Sequence, residues 1–254
     1  MTRRLAFFLL GAILLTLPAS ARYISLQTEL RPVLKKQQLF ISVSSINKGD
    51  ESAYNVWGEL RVLGKRLPLW KAAVVEPSAK YEATITLPLD QTVGPLLLTM
   101  HYQDANHYPF SALSATLLEN ENNPPPLWGA ARPVALVAAG EITLALKNQF
   151  DQPLDVNLEL FLPAELTADF KPTKLKLAPN ANRAIKIKLT NFSALPGSSY
   201  QLFAIARTAE QTIIIPGTVR IEAGNAIFGF DRFWLIIILV GLGAFFLAAQ
   251  IYKR

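Results

Sequence analysis

The sequence predicts an all-β fold: two tandem antiparallel β-sandwiches followed by a single transmembrane α-helix. Three observations predict it. Apolar residues recur at every second position through most of residues 22–224, clusters of Asn, Asp, Gly and Pro punctuate that alternation, and an uninterrupted apolar run lies toward each end. Period two is the spacing of a strand with one face buried and one in water, because successive side chains point to opposite sides of the pleat.

Residues 1–21 come first. Arg3 and Arg4 precede the apolar run Leu5–Leu17, Pro18 stops a helix, and Ala19-Ser20-Ala21 supplies the small side chains that a signal peptidase accepts. These are the three parts of a secretory signal, with cleavage expected before Arg22. Its removal leaves 23 of the 25 Lys+Arg against 19 Asp+Glu, a net charge of +4. A charge so mild and dispersed does not indicate nucleic acid. The chain contains no cysteine, so an exported fold must be held by its cores, which fits a bacterial envelope protein better than a disulfide-stapled ectodomain.

Residues 22–118 make the first sandwich. Leu39, Ile41 and Val43 alternate with Phe40, Ser42 and Ser44; Tyr54, Val56, Leu60 and Val62 share a face; Tyr81, Ala83, Ile85 and Leu87 form another strand, and Leu96, Leu98, Met100 and Tyr102 a further one. Asn47-Lys-Gly-Asp50, Gly64-Lys65, Glu76-Pro-Ser78 and Asp104-Ala-Asn106 separate them as turns. Residues 119–127 are a linker, because Glu119-Asn-Glu-Asn-Asn-Pro-Pro-Pro126 cannot continue a strand. Residues 128–224 repeat the pattern with Ile142, Leu144 and Leu146, then Val156, Leu158 and Leu160, Leu175 and Leu177, Ile185, Ile187 and Leu189, Tyr200 to Ala206, and Ile213 to Ile221.

The last element is residues 233–252. Phe233–Ala249 carries no charge, and extended through Ile251 it nearly crosses a hydrocarbon core of about 30 Å at 1.5 Å per residue. Trp234 and Tyr252 mark its margins, and Lys253-Arg254 forms a cytoplasmic tail. The expected protein is single-pass in the cell membrane, with its ectodomain in the periplasm or extracellular space and its C-terminus in the cytoplasm.

Ile46-Asn-Lys-Gly-Asp-Glu-Ser-Ala-Tyr-Asn-Val56 resembles a stretch of CARDB-like immunoglobulin-type adhesion modules. Lys147-Asn148, Pro153-Leu-Asp-Val-Asn-Leu-Glu-Leu160, Pro163, Leu177-Ala-Pro-Asn180 and Pro196-Gly-Ser-Ser-Tyr200 resemble the NEW3-type immunoglobulin-like domain of bacterial envelope proteins. The resemblance implies two immunoglobulin-like sandwiches. Its motifs mark turns and core positions, so it implies fold and little function.

The chemistry-bearing residues admit two readings each. His101, Asp104 and His107 could converge as metal ligands across a hairpin turn, or Asp104 and Asn106 could simply make the turn. Ser45-Ile-Asn-Lys48 matches a penicillin-interacting nucleophile motif, but it sits at a strand end and lacks the later elements. Lys174 and Lys176, Lys186 and Lys188 point outward by alternation; with Lys171 and Arg183 they could form a basic surface for acidic glycans or anionic lipid headgroups, or be solvated lysines that discourage edge pairing. Trp57 and Trp70 are either exposed recognition residues or covered by the neighbouring domain. Gly241, Ala244 and Ala248 line one side of the membrane helix, where small residues allow a second helix to approach. The expectation is a non-enzymatic anchored protein without a cofactor, its ectodomain binding other envelope or membrane proteins; a carbohydrate-binding module is the alternative.

Overall fold

The computed structural model describes residues 23–35, 38–62, 64–69, 71–88, 94–118, 127–222, 226–227, 230–231 and 237. The signal at 1–21, most of the linker, Trp70, the span at 233–252 apart from residue 237, with Gly241, Ala244 and Ala248, and the tail lie outside the described residues. No helix among the described residues is long and apolar enough to cross a membrane. The described chain is all-β, its sheets packed as sandwiches.

The first half contains β1 (Leu26–Lys35), β2 (Gln38–Asn47), β3 (Ala53–Val62), β4 (Lys65–Pro68), β5 (Ala72–Val75), β6 (Lys80–Pro88), β7 (Gly94–Gln103) and β8 (Pro109–Leu118). One sheet runs β1-β2-β6 and the other β4-β3-β7-β8, with β5 also paired to β3. The second half contains β9 (Leu127–Ala131), β10 (Val134–Leu136), β11 (Ala139–Asn148), β12 (Leu154–Phe161), β13 (Leu166–Ala168), β14 (Thr173–Leu177), β15 (Asn182–Asn191), β16 (Ser199–Arg207) and β17 (Thr212–Ile221). Its sheets run β13-β15-β11-β9 and β10-β17-β16-β12-β14. In both halves the chain crosses between sheets in the same order, β2-β3-β6-β7-β8 and β11-β12-β15-β16-β17, as immunoglobulin-like sandwiches do. A short hairpin, β18 (Ala226–Ile227) with β19 (Phe230–Asp231), follows.

Each sandwich buries the alternating residues. Leu39, Ile41, Val56, Leu60, Leu98 and Met100 fill the first core; Ile142, Leu144, Val156, Leu158, Ile187, Leu202 and Ile215 fill the second. Two expected faces shift. Tyr54 does not share the inward face with Val56, because Asn55 at φ 49° makes a bulge between Tyr54 and Trp57. An extra residue there turns Ala53 inward in place of Tyr54. Leu127, assigned to the linker by sequence, is buried as the first residue of β9, which turns Trp128 outward.

The two halves share a bracket at the start of the crossing. Asn47 is fully buried; its amide nitrogen donates to the carbonyls of Glu51 (2.7 Å) and Val75 (3.1 Å), and its amide oxygen accepts from the Gly49 N–H (3.0 Å). Asn148, also fully buried, donates to the carbonyls of Gln152 (2.7 Å) and Ala178 (3.0 Å) and accepts from the Phe150 N–H (2.9 Å). Each bracket faces a turn whose third residue after the strand end, Val75 or Leu177, has positive φ, Ser78 at 65° and Asn180 at 53°. Asparagine suits both places because its amide satisfies backbone groups that would otherwise be buried unpaired.

Candidate functional site

The feature that joins the halves lies on the outer faces of two sheets. Leu97 sits between inward-facing Leu96 and Leu98 on β7, and Phe203 between Leu202 and Ala204 on β16, so both point away from their own cores. They meet Leu113, with Ala115, Phe161 and Ile214 packed around them. The sequence signal is apolar residues on both faces of one strand, as in Leu96-Leu-Leu98 and Phe203-Ala-Ile-Ala206. Alternation on one face alone does not show it.

Glu165 closes one end of this junction. It is fully buried, in the turn before β13. The Ser111 N–H of β8 donates to one carboxylate oxygen (2.6 Å) and the Ser111 hydroxyl to the other (2.8 Å), while the same hydroxyl accepts from the Ala164 N–H (2.7 Å). Burial pushes the Glu165 carboxyl above the usual carboxylate range, against the opposing pull of the Ser111 hydrogen bonds. Burial, helped by the nearby Glu165, also raises the Tyr102 and Tyr200 phenols, Tyr200 to about 12. At the other end Arg61 stands 5.6 Å from the centre of the Phe161 ring, within cation–π range, and Arg207 pairs with Glu159 at 2.7 Å. A cleft of about 810 Å³ opens beside Ser111, lined by Tyr23, Glu51, Tyr102, Phe110, Leu195 and Tyr200 among others. The signal for Glu165 is a single charge inside the apolar run Leu160-Phe-Leu-Pro-Ala-Glu-Leu166.

The sequence-predicted residues fall elsewhere. His101 points outward on β7 and stacks on Trp57, ring centres 4.1 Å apart; burial against that ring lowers the imidazole pKa. Trp57 is thus outward, half-buried and already partnered. Asp104 turns its carboxylate to the N–H groups of Asn106 and Tyr108, both at 2.9 Å, and His107 occupies an exposed turn position at φ 65°. No group of three or more His, Cys, Asp or Glu among the described residues could hold a metal ion. Ser45 is buried within β2, and Lys48 is exposed beyond its end.

All six cations of the predicted basic surface are exposed, but the structure divides them. Lys174 and Lys176 belong to β14 in one sheet, Lys186 and Lys188 to β15 in the opposite sheet. Their apolar neighbours Leu175, Leu177, Ile187 and Leu189 meet in the shared core, so the two lysine pairs point away from each other. Lys186 is also paired with Glu141 at 2.9 Å. Lys171 lies between β13 and β14, and Arg183 lies near the start of β15. Spacing within a strand was readable from sequence; which sheet each strand joins was not.

No known protein family matches the chain, and no curated protein does. Similar solved structures are native Escherichia coli alpha-2-macroglobulin (14% identity, TM-score 0.33, covering 79% of this chain and 17% of that one) and the same protein activated by porcine elastase (15%, 0.34, 81% and 22%). Red sea bream transglutaminase is similar at 13% identity and TM-score 0.28, covering 79% of this chain and 31% of that one. The chain therefore spans less than a third of the length of each, and none of their activities is carried over to it.

Proposed function

We propose that this chain is a non-enzymatic, membrane-anchored envelope protein of the CARDB-like and NEW3-type kind, whose ectodomain binds other envelope or membrane proteins. The reading puts residues 22–231 outside the cytoplasm, residues 233–252 across the membrane and Lys253-Arg254 inside. One observation supports the binding role. The apolar junction and the Ser111–Glu165 hydrogen bonds hold the outer surfaces of the two sandwiches in one fixed relation, so a partner touching both meets a preorganised surface and loses less entropy on binding. In-cell photocrosslinking from Tyr108, an exposed ring in the β7–β8 turn, tests it. The expected result is one discrete adduct with a second protein, lost when Phe203→Asp opens the junction. An adduct unchanged in that variant would sink the preorganised surface. A chain that gives no adduct and instead binds an acidic-glycan resin through Lys174 and Lys176 would establish the carbohydrate-binding alternative.

A further inference from the structure

We infer that one end of the second sandwich is a lipid-contacting base, in which Val137, Phe192 and Leu195 rest in the interfacial layer of a neutral bilayer. This rests on the proposed membrane anchor and adds a second contact to it. The three side chains are exposed, at 50%, 76% and 49% of their surface. Hydrogen bonds place them together: Asn191 donates from its backbone to the Ala138 carbonyl (2.8 Å) and from its side chain to the carbonyls of Val137 (3.3 Å) and Ala194 (3.0 Å). The chain leaves β17 at this same end. Gly197 N–H donates to the Ile221 carbonyl (2.8 Å), Ile221 N–H to Ser198 (2.9 Å) and Glu222 N–H to Leu136 (2.7 Å).

The distance to the apolar run is short. From Glu222 to Ala226 and from Asp231 to Phe233 are six chain steps, and Ala226 pairs directly with Asp231, so Glu222, bonded to the residue before Val137, lies within about 25 Å of the start of the span. Residues 133–140 and 189–206 contain no charged side chain, so both loops present an apolar, uncharged surface. The charges that border them are Glu165, buried beneath the Phe192 and Ser193 N–H groups that its carbonyl accepts (2.9 and 3.2 Å), Arg220 and Glu222 at the end of β17, and Glu51 and Asp104 across the cleft from Leu195. Exposed Phe, Leu and Val on charge-free loops partition into the headgroup–acyl boundary by area burial and do not depend on anionic lipid.

The absence of cysteine gives a clean test. The full chain is reconstituted into phosphatidylcholine nanodiscs that contain a shallow spin-labelled lipid. It carries a single environment-sensitive label, either at Ser193→Cys in the base or at Glu210→Cys in the opposite β16–β17 turn. Quenching at Ser193→Cys is expected to be at least threefold that at Glu210→Cys. Phe192→Ser with Leu195→Ser should bring it down to the Glu210→Cys level while the chain stays resistant to carbonate extraction. Equal quenching at both positions in carbonate-resistant protein overturns the lipid-contacting base and leaves the anchor standing. Extraction by carbonate overturns the anchor, and the base with it.

Discussion

At the scale of single residues, Glu165 is the side chain with the largest consequence. Its carboxyl pKa is raised in the folded protein because ionisation there leaves a charge out of water. The stability it contributes is therefore fully present below the unfolded value and is lost as pH rises through the folded one. The groups around it, Ser111, Tyr102 and Tyr200, stay neutral through that range. Chemical denaturation across pH should show stability falling on the alkaline side, by about 1.4 kcal/mol for each pH unit of the shift. Glu165→Gln, which keeps the shape, still accepts from the Ser111 N–H and turns its amide N–H to the Ser111 hydroxyl, should remove that slope and stay close to the parent protein in acid. His101 works with the opposite sign: its lowered pKa means the Trp57 stack is favoured when neutral and weakens as pH falls through the folded value. A Glu165→Gln protein whose alkaline slope is intact would show that another group carries it.

At the scale of elements, the turn after β2 is limited by backbone. A Cβ on Gly49 would lie 2.2 Å from the Tyr23 carbonyl oxygen and 2.8 Å from the Ile24 Cα, atoms that cannot rotate away. Gly49→Ala should cost about 2–3 kcal/mol in urea unfolding. Gly64→Ala, with open space but φ +76°, should cost only about 1 kcal/mol. Equal losses would mean the chain before β1 moves aside freely. Elements of this kind were partly legible in the sequence. The strands around Ile41 and Leu144 follow from alternation, since their other face meets water, whereas those around Leu98 and Leu202 are apolar on both faces and alternation shows only the inward one. Tyr54 was misread because one added residue at Asn55 reverses every face before it. β8 gave no period-two signal because Phe110 and Leu113 are buried on opposite faces of the strand, one toward its own core and one toward the junction. The candidate site was the least legible part. Ser111 and Glu165 stand 54 residues apart and read as ordinary polar residues until the fold brings them together.

At the scale of the whole molecule, the junction sets how the halves behave when the chain between them is cut. Protease should cleave first between Glu119 and Pro126, a polar, proline-rich stretch. The two fragments should then co-elute on size exclusion, held by Leu97, Leu113 and Phe203, and Phe203→Asp should release them as separate folded halves. Fragments of the parent protein that separate at once would show the apolar cluster to be too weak to hold. The same junction has a mechanical meaning. A chain held at its C-terminus and pulled through a partner on the first sandwich is expected to load the outer-face contact before any strand ladder, because packed side chains and hydrogen bonds with a side chain on one side at least join the halves there. When that contact parts, the nine chain steps from Leu118 to Leu127 can take up as much as about 30 Å. Both cores remain folded through that extension, and the halves can close again when tension falls. Under such a load the junction is expected to act as a resettable slack-limiter, parting first and re-forming without refolding.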